Sequence, residues 1–239
     1  MAGIPPGAHE RKPMPPPPEL HGIKILLVDK PDRTQTQVLM GRPSLSWKDP
    51  DLFPVLVGNT AFGGTFTSRL MREIREKRGW SYGVSSFITA GREFGTMAIR
   101  FFPANKDTVP AIRLTLDLLK DLVKKGLKDE ETSYAENHIA NQFPFRLETA
   151  RKRAGEKLAD ELYSRPRNYI RDYVKNVRAQ DTRTINAAMA KWFDPQGLAV
   201  VVVGSAKDLL DGLKKIPGVT GVEVHPYDVD MLPATPADR

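Results

Sequence analysis

The hydrophobic pattern divides the chain into short alternating runs and a long middle stretch with three- and four-residue periodicity. Ile23, Ile25 and Leu27 alternate with Lys24 and lead to Asp29, a two-residue period that predicts a strand. A second extended run covers residues 34–41 and gives way to a loop around Pro43. Asp49 and Pro50 suit the N-cap and first position of a helix, and Leu52, Phe53, Leu56 and Val57 form its apolar stripe until Gly63 and Gly64 stop it. Phe66, Leu70, Met71 and Ile74 then recur at helical spacing, with Thr65 or Thr67 as cap and Gly79 as a left-handed stop. Residues 82–89 and 94–102, separated by Ala90, Gly91, Arg92 and Glu93, predict two strands joined in a hairpin.

Longer helices follow. Val109, Ile112, Leu116, Leu119 and Val123 mark one, in which Pro110 falls in the first turn if Asp107 caps. Asp129, Glu130 and Glu131 open another that runs towards Phe143, with acidic residues where the helix dipole favours them. Helical patterns over 148–163, 166–177 and 181–192 precede an unbroken apolar run at 198–203, which reads as a buried central strand, and a helix at 205–214 and a strand at 222–225 end the series. Strands and helices cluster instead of alternating. The predicted fold class is therefore α+β, with helices packed on one face of a mostly antiparallel sheet. Seven of the 20 prolines lie in the first 18 residues. That bias predicts a proline-rich linker or tail over 1–21, a folded domain over 22–225 and a flexible tail over 226–239.

Composition narrows the chemistry. Thirty-six basic and 29 acidic side chains leave a net charge of +7. Such a charge bears on association more than on fold, and no aromatic-and-basic stripe of a nucleic-acid module accompanies it, so nucleic acid is not an expected partner. No apolar run approaches the ~18 residues of a membrane span. With no cysteine, disulfides, thiolate catalysis and thiolate metal sites are excluded. The four histidines, His9, His21, His138 and His225, include no two within one helical turn, so the chain is expected to bind no metal by itself. His9-Glu10-Arg11-Lys12-Pro13 places proline where a zincin helix needs its second histidine. His138, near Tyr134 and Asn141, reads as a surface or partly buried polar group.

The densest window for chemistry is residues 63–83. Arg75 falls on the polar side of a helix whose stripe contains Ile74, and Tyr82 comes seven residues later, just past a glycine turn into a strand. A helix end and the following strand start can present both side chains to one cleft. Spacing alone nevertheless favours a solvated helix face, with Arg69, Arg72, Arg75, Lys77 and Arg78 interleaved with Glu73 and Glu76. Gly63-Gly64 lacks the Gly-Lys-Ser/Thr ending of a phosphate loop.

Several ordered segments together resemble one family. Leu26-Leu27-Val28-Asp29-Lys30-Pro31, Thr34-Gln35-Thr36-Gln37, Gly63-Gly64 and Arg75-Glu76-Lys77-Arg78-Gly79-Trp80-Ser81-Tyr82-Gly83-Val84 are similar to the C-terminal domain of pitrilysin-type metallopeptidases, which include insulinase and the mitochondrial processing peptidase. Phe143-Pro144-Phe145-Arg146-Leu147-Glu148-Thr149 and Val200-Val201-Val202-Val203-Gly204 extend the likeness to bacterial members, over about residues 22–205. The resemblance implies a zinc peptidase of two homologous halves around a peptide chamber. In that family the zinc half carries His-x-x-Glu-His, which is absent here.

The other half contributes an arginine and a tyrosine at seven-residue spacing, matched by Arg75 and Tyr82, to hold the substrate backbone and the developing oxyanion. Arg78 lies nearer Tyr82 and matches that spacing less well. The resemblance further implies zinc in a homologous partner domain or subunit, an unstructured peptide as substrate, and activity only with that partner. Homo-oligomerisation is a further expectation, and a non-proteolytic scaffold of the same fold is the alternative. Residues 34–40 are expected to form an edge strand able to add an extended peptide by strand pairing.

Overall fold

Alternation in the first strand sets one face of the molecule. In the computed structural model, which describes residues 14–229, Ile23, Ile25 and Leu27 of β1 (Ile23–Asp29) are buried while Lys24 is exposed. The chain continues through β2 (Gln37–Ser44), α1 (Leu52–Asn59), π-helical turns over Thr60–Gly64 and Met71–Glu76, β3 (Ser81–Thr89) and β4 (Gly95–Pro103). Five helices follow: α2 (Thr108–Lys125), α3 (Asp129–Arg146), α4 (Ala150–Tyr163), α5 (Tyr169–Arg178) and α6 (Thr182–Trp192). β5 (Leu198–Gly204), α7 (Ala206–Lys214) and β6 (Val219–Pro226) complete the order. Residues 1–13, with most of the proline-rich stretch and His9, and residues 230–239 of the expected tail lie outside the described residues.

The six strands form one sheet in the order β3-β4-β2-β5-β1-β6. β3–β4, β4–β2 and β2–β5 pair antiparallel, whereas β5 and β6 both flank β1 in parallel. The parallel corner arises because β5, α7 and β6 make a crossover, with α7 packed over β1 and β6. This is the expected α+β class with a mostly antiparallel sheet. Register aligns the buried positions: Ser86, Ile99, Met40, Val200 and Ile25 form one row across five strands, and Val84, Phe101, Val38, Val202 and Leu27 the next. The helices cover this face. Ile112, Leu116, Leu119 and Leu122 of α2 are buried, and Phe62 and Phe193 meet edge-to-face at 5.9 Å. The opposite row, Ser85, Arg100, Leu39, Val201 and Leu26, is half-buried or exposed.

Two expectations are corrected. The run at residues 34–40 is no edge strand: as β2 it is paired on both sides, with β4 and β5, so it offers no ladder to a peptide. Alternation reports which face of a strand is buried but carries no information about its lateral neighbours. The strand also continues through Pro43, because pairing with β5 ends at Gly41 and the proline breaks no ladder there. The second correction concerns the helix expected from Phe66 to Ile74. Thr65 is extended (φ −129°, ψ 165°), the chain opens over 65–68, and Phe66 is 62% exposed, while Leu70, Met71 and Ile74 are buried. Smaller shifts occur at helix starts. α1 begins at Leu52, and the Asp49 carboxylate instead accepts from the Asp51 N–H at 2.9 Å, closing a turn before the helix.

Polar ties hold the layers where apolar contact is thin. Glu131, in the first turn of α3, accepts from Arg69 Nε at 3.1 Å and Nη2 at 2.6 Å, and from the Lys128 N–H at 2.9 Å in a capping box. Arg69 also donates to the Gly126 carbonyl at 3.0 Å, so one guanidinium joins the 65–71 segment to the start of α3. α4 buries no side chain completely. It is held by Glu156, which accepts from Arg146 and Arg165 at 2.7 Å each, and by the Arg165 guanidinium lying 4.0 Å over the Trp47 ring.

Burial alone would raise the Glu131 carboxyl, but Arg69, the Lys128 N–H and Arg72 hold it below its ordinary value near 4.5. A lowered folded-state pKa contributes stability above the ordinary value and loses it as pH falls through the folded one. Glu131→Gln is therefore expected to lower stability at neutral pH by about 1–2 kcal/mol. The difference from the parent protein should shrink as pH falls below about 4.5, in thermal melts across that range.

Candidate functional site

A close approach between a helix end and a strand builds the site. Ser86 Oγ on β3 donates to Asn59 Oδ1 at 2.6 Å, and Asn59 Nδ2 returns a bond to the Ser86 carbonyl at 3.3 Å, both buried. Gly63 packs against this pair, and a Cβ there would collide with Ser86 and Leu70. The chain unwinds past Gly64, exposes Phe66 and re-enters the core at Leu70, Met71 and Ile74. Met71 Sδ accepts from the Val84 N–H at 3.4 Å, which anchors the second π-helical turn to β3. Gly79, at φ +63°, then reverses the chain as expected. Ser81 Oγ accepts from the Phe102 N–H at 2.9 Å and donates to the Gly83 carbonyl at 2.7 Å. Tyr82, between these anchors, is 86% exposed.

Arg75 lies between two rings. Its guanidinium carbon is 4.3 Å from the Phe66 centroid and 4.9 Å from the Tyr82 centroid. The structure thus brings Arg75 and Tyr82 together and adds Phe66, which sequence patterning assigned to a core stripe. The available signal was Gly63-Gly64 just upstream, a pair able to end the helix before Phe66. Neighbouring arginines are engaged otherwise. Arg69 bonds Glu131, Arg72 lies 3.9 Å from the same carboxylate, and Arg78 donates to the Glu73 carboxylate at 3.0 Å and carbonyl at 2.8 Å. Lys77, and against burial also Arg78, hold the Glu73 carboxyl below its usual range. Among the described residues Arg75 has neither an ion pair nor a side-chain hydrogen bond. Both rings lie within cation–π distance, and its N–H groups are left free to donate.

Beside the sandwich runs a groove of about 330 Å³, lined in part by Gly64, Phe66, Met71, Tyr82, Arg100 and Phe102, with no acidic side chain in its wall. A larger cleft, about 870 Å³, lies between residues 14–21 and Arg42–Ser46 and adjoins neither Arg75 nor Tyr82. The arrangement suits an extended polypeptide: a fixed cation and a phenol can donate to carbonyl oxygens while glycine backbone and aromatic rings accept the chain.

The described histidines are dispersed. The His138 ring stacks on Tyr134 at 6.2 Å, His21 lies 3.6 Å from Glu19, and His225 Nε2 is 2.7 Å from Glu223. No three His, Cys, Asp or Glu side chains converge among the described residues, so these donors do not fit a zinc ion. No described helix is long and apolar enough to cross a membrane.

Comparison with known proteins identifies the fold and the family. The chain is 30% identical over 114 residues to an uncharacterised zinc protease of Streptomyces coelicolor, covering 48% of this chain and 25% of that protein. It is 25% identical over 166 residues to an uncharacterised zinc protease of Mycobacterium tuberculosis, covering 69% and 37%. The chain therefore spans less than half the length of these relatives. The crystal structure of a peptidase M16 inactive domain from Pseudomonas fluorescens superposes with a TM-score of 0.74 at 26% identity, over 83% of this chain and 47% of that one. The family described as the peptidase M16 inactive domain matches residues 1–138, more than half of the sequence and including the whole Gly63–Tyr82 site, and the chain belongs to that family.

Proposed function

We propose that this chain is the substrate-binding, non-catalytic half of a two-half zinc peptidase, and that Arg75 and Tyr82 serve the peptide from the side opposite a homologous zinc-bearing domain or subunit. The observation that carries this reading is the Arg75 guanidinium held between Phe66 and Tyr82 with its N–H edge unused. The relatives are named zinc proteases and the family an inactive domain, while the donors among the described residues do not fit zinc. The zinc ligands then belong to the partner.

The chemistry of the two side chains follows from their placement. Guanidinium N–H groups and the phenol O–H donate to backbone carbonyl oxygens of an unstructured peptide drawn out along the groove. When hydrolysis turns a carbonyl oxygen into an oxyanion, hydrogen bonds to it become charge-assisted and strengthen more than those to the ground state. Contact with two rings restricts the guanidinium before the peptide arrives, which lowers the ordering cost of binding. The uncovered sheet face, with Leu39, Val201 and Leu26, forms a wall of the enclosed chamber when the partner is present, and a second copy of this chain is the competing occupant.

In complex with the zinc-bearing partner, Arg75→Ala and Tyr82→Phe are each expected to lower kcat about 100-fold or more, with zinc content and melting temperature unchanged. The double variant should lose less than the product of the two, since both residues serve one transition state. Arg78→Ala should have a smaller effect, because its guanidinium is tied to Glu73. Near-parental turnover in the double variant would leave the scaffold as the better reading.

For the chain by itself, metal analysis after dialysis should find no stoichiometric zinc, and peptide assays no chelator-sensitive cleavage. Light scattering over a concentration series should show self-association, or a mixed complex once the zinc-bearing partner is added. Strictly monomeric behaviour with no capture of that partner would count against an interacting half.

A further inference from the structure

A second unpaired arginine, Arg100, lines the groove that runs beside Arg75. Arg100 of β4 lies on the uncovered sheet face, with Leu39 of β2 and Ser85 of β3 as its cross-strand neighbours. Its guanidinium carbon is 5.8 Å from the Phe102 centroid and 5.9 Å from the Phe87 centroid, and it makes no ion pair or side-chain hydrogen bond among the described residues. Neither the groove wall nor either cross-strand neighbour supplies a carboxylate. In the same row across the sheet the first acidic side chain is Glu223 on β6, four strands away, or about 19 Å at the usual strand spacing. An arginine among Phe87, Phe102 and Leu39 with no anion in reach leaves a positive potential over apolar surface, which selects for an incoming negative group.

We infer that Arg100 forms a subsite for a carboxylate of the bound peptide. This rests on the reading of Arg75 and Tyr82 as the groove's backbone-binding pair. Ser85, opposite Arg100, is three residues along β3 from Tyr82, at most about 10 Å because the register is irregular between Ser81 and Val84, which is within the span of three residues of extended peptide. The carboxylate therefore sits within about three residues of the peptide bond held at Arg75. Two sources share this chemistry: an Asp or Glu side chain within the peptide, or the C-terminal carboxylate of a short one.

The test is fluorescence anisotropy of the full chain with labelled extended peptides at low salt. One set is C-terminally amidated with Glu or Gln scanned through the central positions, and another has the Gln peptides with a free C-terminus. Peptides bearing a carboxylate at the right position should bind about three-fold or more tightly than amidated Gln peptides. The advantage should disappear with Arg100→Gln and pass to Lys-containing peptides with Arg100→Glu, both variants melting like the parent. The internal-Glu and free-terminus arms identify the source.

Equal binding of Glu and Gln peptides by the parent protein, or a preference that survives Arg100→Gln, would overturn the subsite. If that preference is absent while Arg75→Ala weakens all peptides alike, the subsite fails and the proposed function stands. Conversely, an Arg100-dependent preference with no effect of Arg75→Ala retains the subsite and removes the role of Arg75. Failure of every peptide to bind at millimolar concentration overturns both.

Discussion

Gly63 has room for no side chain, because Ser86 and Leu70 occupy the space a Cβ would need. The reciprocal Asn59–Ser86 hydrogen bonds hold the end of α1 against β3 at that distance. The neighbouring features follow from this contact. The helix widens into a π-helical turn over Thr60–Gly64 and ends there, and the chain swings out at Thr65 before returning at Leu70. Phe66 is carried to the surface by that detour. Met71 and Ile74 bring the second π-helical turn back against β3, and the site exists where these two routes meet.

Charge pairing decides which arginine of the segment is available. Glu131 engages Arg69 and draws Arg72 near, while Glu73 engages Arg78 and Lys77. These pairs differ in what they contribute. The Arg69–Glu131 pair is largely buried and doubles as a helix cap, so breaking it strands a charge. The Lys77–Glu73 pair is more exposed and contributes little stability. Glu131 and Glu73 are thereby engaged by other side chains, and Arg75 lies against aromatic rings that do not neutralise it.

The sheet is covered on one side only. Its helical face carries the two aligned rows of buried side chains, whereas the other face presents Leu39, Val201, Leu26, Phe87 and Arg100 in a mixture unusual for a surface left to water. Tyr82 and the groove lie at the β3 edge of that face. The outer edge of β3 is itself partly closed, since Met71 Sδ receives its Val84 N–H and Asn59 Nδ2 bonds its Ser86 carbonyl. A peptide in the groove would thus meet side chains and glycine backbone before it met a free strand edge.

Much of this was legible in the residues alone. Period-two alternation marked β1, two extended runs flanking Ala90–Glu93 marked β3 and β4, an unbroken apolar run marked β5, three- and four-residue periods marked the helices from α2 to α7, and Gly79 marked the turn into β3. Such patterns are local: they record which side of an element is apolar, and that follows from the chain's own geometry. The seven-residue spacing also singled out Arg75 and Tyr82, though only through resemblance to a family, since the same spacing fits a solvated helix. Three things were decided by tertiary structure. β2 became an inner strand because β5, about 160 residues later, pairs with its second edge. Phe66 left the core because the chain turns extended at Thr65, just past the place where Gly63 packs against Ser86 of β3. Arg75 lies against Phe66 and Tyr82 of separate segments, while Arg69 and Arg72 sit by Glu131 in another helix. Each outcome rests on a contact between segments well separated in sequence, and local periodicity carries no record of such partners.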